Sequence, residues 1–119
     1  MMYETLFTMG TKIDFLLPSE TDPSIWSEVS NELLRLNSVF NRFDPESEVS
    51  HVNRGDAPVS YSLREAIALG IDYRLNTLGL FDIKHDGSYD FGGFAKGYAL
   101  RSIHGILEKH EVKDAFVSP

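Results

Sequence analysis

The sequence predicts an α+β fold, with a mostly antiparallel sheet and about three helices. Three observations predict this class: two stretches near the N-terminus alternate apolar and polar residues, later stretches repeat apolar residues at helical spacing, and an Asp-Gly pair joins two strand-like segments. The strand-like segments pair as hairpins, which favours antiparallel neighbours. Because 119 residues suit one hydrophobic core, we predict a single domain over residues 1–119.

The composition is that of a folded, acidic protein. Hydrophobic residues make up 42% of the chain and include 8 Phe, which is ample material for a core. The absence of cysteine excludes disulfides, thiolate metal ligands and a cysteine nucleophile. The net charge of −7 would repel phosphate backbones, so we expect no nucleic-acid partner.

The sequence contains no membrane-targeting pattern. No apolar stretch is long enough to cross a bilayer, and the N-terminus has no basic region followed by an apolar run. We therefore expect no membrane insertion and a cytoplasmic location for the sequence as given. An extracytoplasmic full-length parent is compatible with these observations.

The N-terminal segment is predicted to form a hairpin or a bent strand. Residues 3–9 and 12–17 alternate at period two, Gly10 lies at their join, and Pro18 ends the second stretch. Two adjacent stretches of this kind indicate neighbouring antiparallel strands.

A long amphipathic helix is predicted next. Asp22 is a suitable N-cap and Pro23 a suitable first helical residue. Apolar residues then recur at spacings of four and three: Val29, Leu33, Leu36 and Phe40. Trp26 lies one turn before Val29, and we interpret it as a packing residue. After the helix, Ser47 is predicted to cap a short helical turn.

A second long helix is predicted to begin at a capping box formed by Ser62 and Glu65. Its predicted buried face consists of residues at helical spacing: Leu63, Ile67, Ile71, Leu75 and Leu78. Gly79 is placed to end this helix in the left-handed conformation.

A second hairpin and a last helix complete the predicted fold. Residues 80–84 and 88–91 are predicted strands, and Asp86-Gly87 is the tight turn between them. The last helix has a common face formed by Ala95, Ala99, Ile103 and Ile106. Residues 114–118 begin a further strand.

The junction before the last helix has the composition of an anion site. Gly92 and Gly93 precede the helix, and Lys96 is predicted in its first turn. A helix N-terminus presents unpaired N–H groups, and glycines allow a phosphate to approach them. The alternative, equally compatible with the spacing, is a plain strand-to-helix turn. A Walker A loop is absent from the sequence, so a nucleotide triphosphatase is not supported.

The acidic residues around the second hairpin form a compact cluster of carboxylates with one imidazole. Asp82, Asp86 and Asp90 lie close to His85 along the chain. Such oxygen and imidazole groups can bind cations. Asp86 is better explained by the turn, and we interpret the group as structural.

Three separated stretches resemble the ApbE-type FAD:protein FMN transferase family, in the family's order. Residues 9–11, MGT, are similar to its early Met-Gly-Thr. Residues 40–53, FNRFDPESEVSHVN, resemble its aromatic-Asp-Pro-x-Ser-Glu-aliphatic-Ser-x-aliphatic-Asn run, with Asn41 where serine is common. Residues 79–82, GLFD, and 90–99, DFGGFAKGYA, resemble its Gly-x-Phe-Asp and Asp-aliphatic-Gly-Gly-aliphatic-Ala-Lys-Gly-Tyr-Ala motifs.

The resemblance implies an FAD-binding cleft in which Mg²⁺ lies at the pyrophosphate. FMN would pass from FAD to a threonine or serine of a flavin-acceptor protein, with release of AMP. The cofactor-binding positions that the resemblance implies are Met9, Phe43, Asp82, Gly92, Gly93 and Lys96. Gly93 would also offer its carbonyl to the metal, Met9 and Phe43 would approach the flavin ring, and Asp82 the nucleotide side. From the residues alone, Met9 and Phe43 are more typical of core packing.

The sequence departs from the family's pattern at two places. Only residues 83–89 stand where members of the family carry a long insertion. The family's acidic metal ligands and proposed base follow the position of Val117, and we expect this chain to be unable to complete FMN transfer alone, either as a fragment or as a short member that depends on a partner.

Two other functions stay open at this stage, a non-catalytic flavin-nucleotide binding module and a structural or interaction domain. An FAD titration separates these two, because only the binding module predicts saturable FAD binding. The strand over residues 114–118 is expected to leave a sheet edge uncovered, which predicts a homodimer or a higher oligomer.

Overall fold

The N-terminal hairpin forms as the alternation predicts. In the computed structural model, which describes residues 1–8, 10–79 and 82–118, β1 covers Met2–Thr8 and β2 covers Thr11–Leu17. The two strands pair antiparallel, from Met2 opposite Leu17 to Thr8 opposite Thr11. Gly10 in the turn has a φ of 75°, a conformation in which a side chain would be strained.

The chain divides into two compact units. One consists of Met1–Asn37 with Ala95–Pro119, and the other of Ser38–Phe94. The two long helices at their shared chain boundaries are α1, Pro23–Phe40, and α4, Gly92–Lys109.

The first unit contains a three-stranded antiparallel sheet. β5, Phe116–Ser118, pairs with β2, so that the strand order is β1-β2-β5. Because side chains alternate along a strand, β2 turns three buried residues toward one side: Ile13, Phe15 and Leu17. Phe15 packs edge-to-face against Trp26 at 5.0 Å between ring centroids, which confirms Trp26 as a packing residue. The sheet is antiparallel as predicted.

α1 begins where its capping signal predicts. An Asp22 carboxylate oxygen accepts the Ser24 N–H at 2.9 Å, and Pro23 is the first helical residue. All four predicted apolar positions are buried: Val29, Leu33, Leu36 and Phe40. On another part of α1, Glu28 forms an ion pair with Lys109 and contacts His110 Nε2 at 2.6 Å.

The second unit contains two helices and a short hairpin. α2 covers Glu48–Asn53 and α3 covers Tyr61–Asn76. β3, Lys84–His85, and β4, Ser88–Tyr89, are joined by Asp86 and Gly87, whose φ values are 51° and 81°. Positive φ at both central residues defines a type I′ turn, so the Asp-Gly turn is confirmed. The returning strand ends at Tyr89, two residues before its predicted end, and Leu80 and Phe81 lie outside the described residues.

The predicted capping box of α3 is wrong. Ser60 is the N-cap, with its Oγ accepting the Leu63 N–H at 3.0 Å, and Ser62 is buried within the first turn. A Glu48 carboxylate oxygen accepts the backbone N–H groups of Val59 and Ser60, at 2.7 and 2.8 Å. These hydrogen bonds hold Val59 and Ser60 in place, so that the helix begins earlier than the predicted capping box. Burial raises the pKa of Glu48, but these hydrogen bonds outweigh it and hold the pKa below its usual value.

The predicted buried face of α3 is wrong over its second half. Leu63 is fully buried, whereas Ile71 and Leu75 are 53% and 67% exposed. The buried side instead includes Gly70, where an added Cβ would lie 2.2 Å from Cδ1 of Ile83. The helix therefore presents its small residues to the interior because the Ile83 side chain occupies the space above Gly70.

α3 ends in a Schellman motif. The helix stops at Asn76, the Gly79 N–H donates to Arg74 O at 2.8 Å, and the Leu78 N–H donates to Leu75 O at 3.4 Å. Leu78 and Gly79 both have positive φ, 55° and 85°. The left-handed conformation of Gly79 is confirmed, but Leu78 lies outside the helix and takes the position that glycine usually occupies.

In the described residues, no helix combines the length and the apolar composition that crossing a membrane requires.

Candidate functional site

The loop after α1 presents the aromatic ring of Phe43 to solvent. The ring is 73% exposed, although the loop beneath it is fixed by buried serines. The Ser50 hydroxyl donates to Asp44 O at 2.7 Å, and the Ser47 and Ser50 hydroxyls are 2.9 Å apart. Phe43 is therefore not the core residue that its type alone favours.

A guanidinium group lies against this ring. The Cζ atom of Arg42 is 4.3 Å from the centroid of Phe43, within the range of a cation–π contact. Its Nε lies 3.3 Å from Oδ1 of Asp90. The motifs did not single out Arg42, although it stands next to Phe43 in the sequence.

Asp90 contacts the first residue of α4. The Gly92 N–H donates to its Oδ1 at 2.9 Å, and a Cβ added at Gly92 would lie 3.2 Å from the same oxygen. Glycine is the residue that leaves this approach open. Because the helix starts at Gly92, Lys96 lies in the second turn, and its predicted place in the first turn is wrong.

A side-chain amide holds the strand that leads to this junction. Asn53, the last residue of α2, accepts the Tyr89 N–H with Oδ1 at 2.7 Å and donates with Nδ2 to Tyr89 O at 3.1 Å. The amide thus pairs with β4 as a neighbouring strand would. Asn53 is part of a motif, but residue spacing does not predict this contact, because its partner lies far along the chain.

Aromatic rings line the interior side of the junction. Phe91 is 1% exposed and stacks with Tyr89 at 5.8 Å between ring centroids. Phe40 and Phe94 contact it at 5.4 and 6.1 Å. Buried packing on this side of the chain stabilises the segment that carries Asp90.

Asp82 takes part in a separate set of contacts. One carboxylate oxygen accepts the Lys84 N–H at 2.9 Å, and the other lies 3.5 Å from Arg74 Nε. This carboxylate therefore fixes the start of β3 against the end of α3.

The predicted site residues are distributed over both units. Phe43, Asp82, Gly92 and Gly93 belong to Ser38–Phe94, while Lys96 belongs to the other unit. The structure connects Phe43 to Gly92 through Arg42 and Asp90. Met9, the remaining site prediction, lies outside the described residues.

Groups of both charges meet at this junction. The first N–H groups of an α-helix lack intrahelical partners and carry partial positive charge, and here the Asp90 carboxylate accepts the Gly92 N–H and lies 3.3 Å from Arg42 Nε. Over residues 1–8, 10–79 and 82–118, no cluster of three or more His, Asp or Glu side chains is placed to hold a metal ion.

Comparison with known proteins gives one family and one fold. A family model described as the ApbE family matches residues 9–87. The structure is similar to the flavin transferase ApbE from Vibrio cholerae, with a TM-score of 0.85 and 15% identity over 99% of this chain and 56% of that one.

Two further solved structures have the same fold. The apo form of the Pseudomonas stutzeri flavinyl transferase ApbE has a TM-score of 0.84 and 18% identity over 99% of this chain and 56% of that chain. The ApbE protein from Thermotoga maritima has a TM-score of 0.78 and 20% identity, over 98% and 56%. The chain thus spans a little over half the length of these proteins. No curated protein sequence matches it significantly.

Proposed function

Since this chain belongs to the ApbE family, we propose that it forms the FAD-binding part of an FAD:protein FMN transferase. In the proposed reaction, FMN passes from FAD to a threonine or serine hydroxyl of an acceptor protein, and AMP is released. The hydroxyl oxygen forms a bond to the FMN phosphorus while the bond from that phosphorus to the AMP oxygen breaks. The hydroxyl proton leaves to a base that we do not assign.

The observation that carries this proposal is the connection between Phe43 and the start of α4. An exposed aromatic ring offers a flat surface for stacking a flavin, and the Arg42 guanidinium beside it adds positive charge. Asp90 joins this loop to Gly92 by accepting the Gly92 N–H, and in the proposal the N–H groups that follow at the start of α4 bind phosphate oxygens. One ligand that contains both an aromatic ring system and a pyrophosphate fits this combination.

The other proposed positions follow from the family's motifs. Lys96 is exposed and would lie near phosphate, Asp82 at the nucleotide side, and Met9 by the flavin ring. Gly93 would contribute its backbone carbonyl to Mg²⁺, which when bound neutralises charge on the pyrophosphate. We assign these positions to binding and orienting FAD.

The proposed partners include a second copy of the chain. β5 pairs with β2 on one side only within the described residues, and Phe116 on this strand is 66% exposed. Edge strands and exposed apolar groups favour association, although the net charge of −7 opposes it at low salt. Light scattering at moderate salt over a range of concentrations tests this proposal, and a constant monomer mass would contradict it.

A transfer assay tests the proposed function. The chain is incubated with FAD, Mg²⁺ and a threonine-bearing acceptor protein, and the acceptor is examined for covalent flavin fluorescence on a denaturing gel. FAD binding in solution without a fluorescent acceptor band is the result that we expect for this chain by itself. A fluorescent band would show that the chain completes the transfer. If FAD does not bind, the proposal fails and a structural or interaction role takes its place.

A further inference from the structure

α2 contacts both segments that carry the proposed FAD residues. Ser50, in the middle of this helix, donates to the carbonyl of Asp44 in the loop that presents Phe43. Asn53 lies three positions later, on the same side of the helix, and pairs with the backbone of Tyr89. A helix of only six residues therefore touches the loop on one turn and β4 on the next.

Tyr89 is directly followed by the residue that caps α4. The Asp90 N–H donates to Ile83 O at 2.7 Å, and its Oδ1 receives the Gly92 N–H and lies 3.3 Å from Arg42 Nε. Because Asn53 fixes the backbone of Tyr89, it also restricts the backbone of Asp90, the next residue. The direction in which the Asp90 carboxylate points, and with it the start of α4, depends on this backbone.

We propose that Asn53 is a positioning residue that fixes the start of α4 relative to Phe43. The effect of Asn53 on FAD binding rests on the proposed function, whereas its effect on the backbone at the start of α4 does not. Asn53 reaches Tyr89 rather than any proposed FAD group, so it acts through the segment that it holds.

The contact requires an amide. Asparagine supplies one acceptor and one donor side by side, and both are used, at 2.7 and 3.1 Å. A carboxylate at this position would accept the Tyr89 N–H but would face Tyr89 O with a second acceptor. A protonated carboxyl group, with one O–H donor and one carbonyl acceptor, would restore both bonds. An aspartate at position 53 can therefore form the same pair of hydrogen bonds, but only when its carboxyl group is protonated.

The test uses three variants and two measurements. Asn53→Ala removes both hydrogen bonds, Asn53→Asp makes them dependent on pH, and Asn31→Ala is the matched control at an exposed asparagine of α1. Amide hydrogen exchange at Tyr89 and Gly92 reports the local backbone, and an FAD titration reports the site. Both are measured well below the unfolding temperature of each variant.

Asn53→Ala is expected to accelerate amide exchange at Tyr89 by roughly tenfold or more and to weaken FAD binding by a similar factor. Asn53→Asp is expected to behave like Asn53→Ala at neutral pH and to recover protection and FAD affinity as the pH falls through the titration of the new carboxyl group. The wild type and Asn53→Ala, measured at the same pH values, should show no such recovery. Asn31→Ala should match the wild type.

The outcomes separate this inference from the proposed function. Unchanged exchange at Tyr89 and Gly92 in Asn53→Ala overturns the positioning role, whether or not FAD binds. Faster exchange with unchanged FAD affinity overturns it too, because the junction would then not depend on Asn53. If the wild type binds no FAD, the proposed function fails, and exchange alone decides whether Asn53 fixes this backbone. If Asn53→Ala does not fold, the pH recovery of Asn53→Asp decides.

Discussion

One carboxylate oxygen of Asp90 serves both the loop after α1 and the start of α4: Arg42 Nε lies 3.3 Å from Oδ1, and the Gly92 N–H donates to the same atom at 2.9 Å. The interaction lies near the surface, with the side chains of Arg42 and Asp90 48% and 32% exposed. Exposed ion pairs contribute little to stability by themselves. The relationship therefore matters more for local geometry than for the overall free energy of folding.

Replacing Asp90 should affect both the helix start and the flavin site. Asp90→Ala is expected to lower the free energy of unfolding by about 1 kcal/mol, the usual cost of losing a cap, and to weaken FAD binding. Asp90→Asn retains an oxygen for the Gly92 N–H and should lose less stability. Denaturant unfolding and FAD titration of both variants measure these effects, with Asp72→Ala, at an exposed position of α3, as control. Equal behaviour of Asp90→Ala and Asp72→Ala would refute the capping role.

Lys96 should contribute to binding but not to folding. It is exposed in the second turn of α4, and an exposed lysine near a phosphate strengthens binding by roughly fivefold. Lys96→Ala is therefore expected to weaken FAD binding by that factor and to unfold at the same denaturant concentration as the wild type. Lys113→Ala, at another exposed position, is the control for net charge. An unchanged FAD affinity would remove Lys96 from the site.

Leu78 is a strained residue that glycine should relieve. It is 95% exposed and has a φ of 55°, a conformation that costs a residue with a side chain about 1–2 kcal/mol. Leu78→Gly is expected to raise the free energy of unfolding by about 0.5–1 kcal/mol, because the greater freedom of glycine in the unfolded chain offsets part of the relief. Leu78→Ala keeps the strain and serves as control. A destabilised Leu78→Gly would contradict the assigned C-terminal motif.

The ionised Glu28 carboxylate should stabilise the protein at neutral pH but not in acid. The hydrogen bond from Lys109, followed by that from His110, lowers the pKa of Glu28 below its usual value. A carboxyl group whose folded pKa is depressed stabilises the protein above its unfolded pKa, and the contribution is lost as the pH falls through the folded one. Glu28→Gln should therefore melt below the wild type at neutral pH.

The melting curves of the two proteins should converge at acid pH. Thermal unfolding followed by circular dichroism at several pH values measures the difference. A constant difference between wild type and Glu28→Gln at all pH values would show that the ionised carboxylate is not the origin of the effect.

Local signals in the sequence predicted the elements that depend on local contacts. The Asp22 cap and Pro23 determine the start of α1 within a few residues of chain, and the Asp86-Gly87 pair determines its own turn. In these cases the interacting atoms lie close together in the sequence. The sequence around each feature therefore contains the contacts that determine it.

The predictions that failed concern features of α3 that depend on residues far away in the sequence. The start of α3 depends on the Glu48 carboxylate, which binds backbone groups of the preceding loop. Its buried face depends on the Ile83 side chain against Gly70. Periodicity within one helix contains neither contact, so the predicted cap and the predicted apolar face were displaced.

The candidate site shows the same division. The motifs predicted the glycine junction before α4, and the family is confirmed, but the exposure of Phe43 was not predicted, because its residue type alone favours core packing. Arg42 and Asn53 were missed because each contacts a residue near position 90, and no spacing rule connects such separated positions. The binding roles of the predicted site residues stay predictions.

An equilibrium titration of the chain with FAD, followed by the change in flavin fluorescence, tests whether the surface around Phe43 binds the flavin. We predict saturable binding in the wild type. In Phe43→Ala, the loss of an aromatic stacking surface, which is worth about 1–3 kcal/mol per stacked base in nucleic-acid complexes, should weaken binding by roughly tenfold. Leu34→Ala, at an exposed apolar residue of α1, should bind as the wild type does. If the fluorescence of FAD does not saturate with the wild type, or if Phe43→Ala and the wild type bind FAD equally well, the assignment of this surface to the flavin is contradicted.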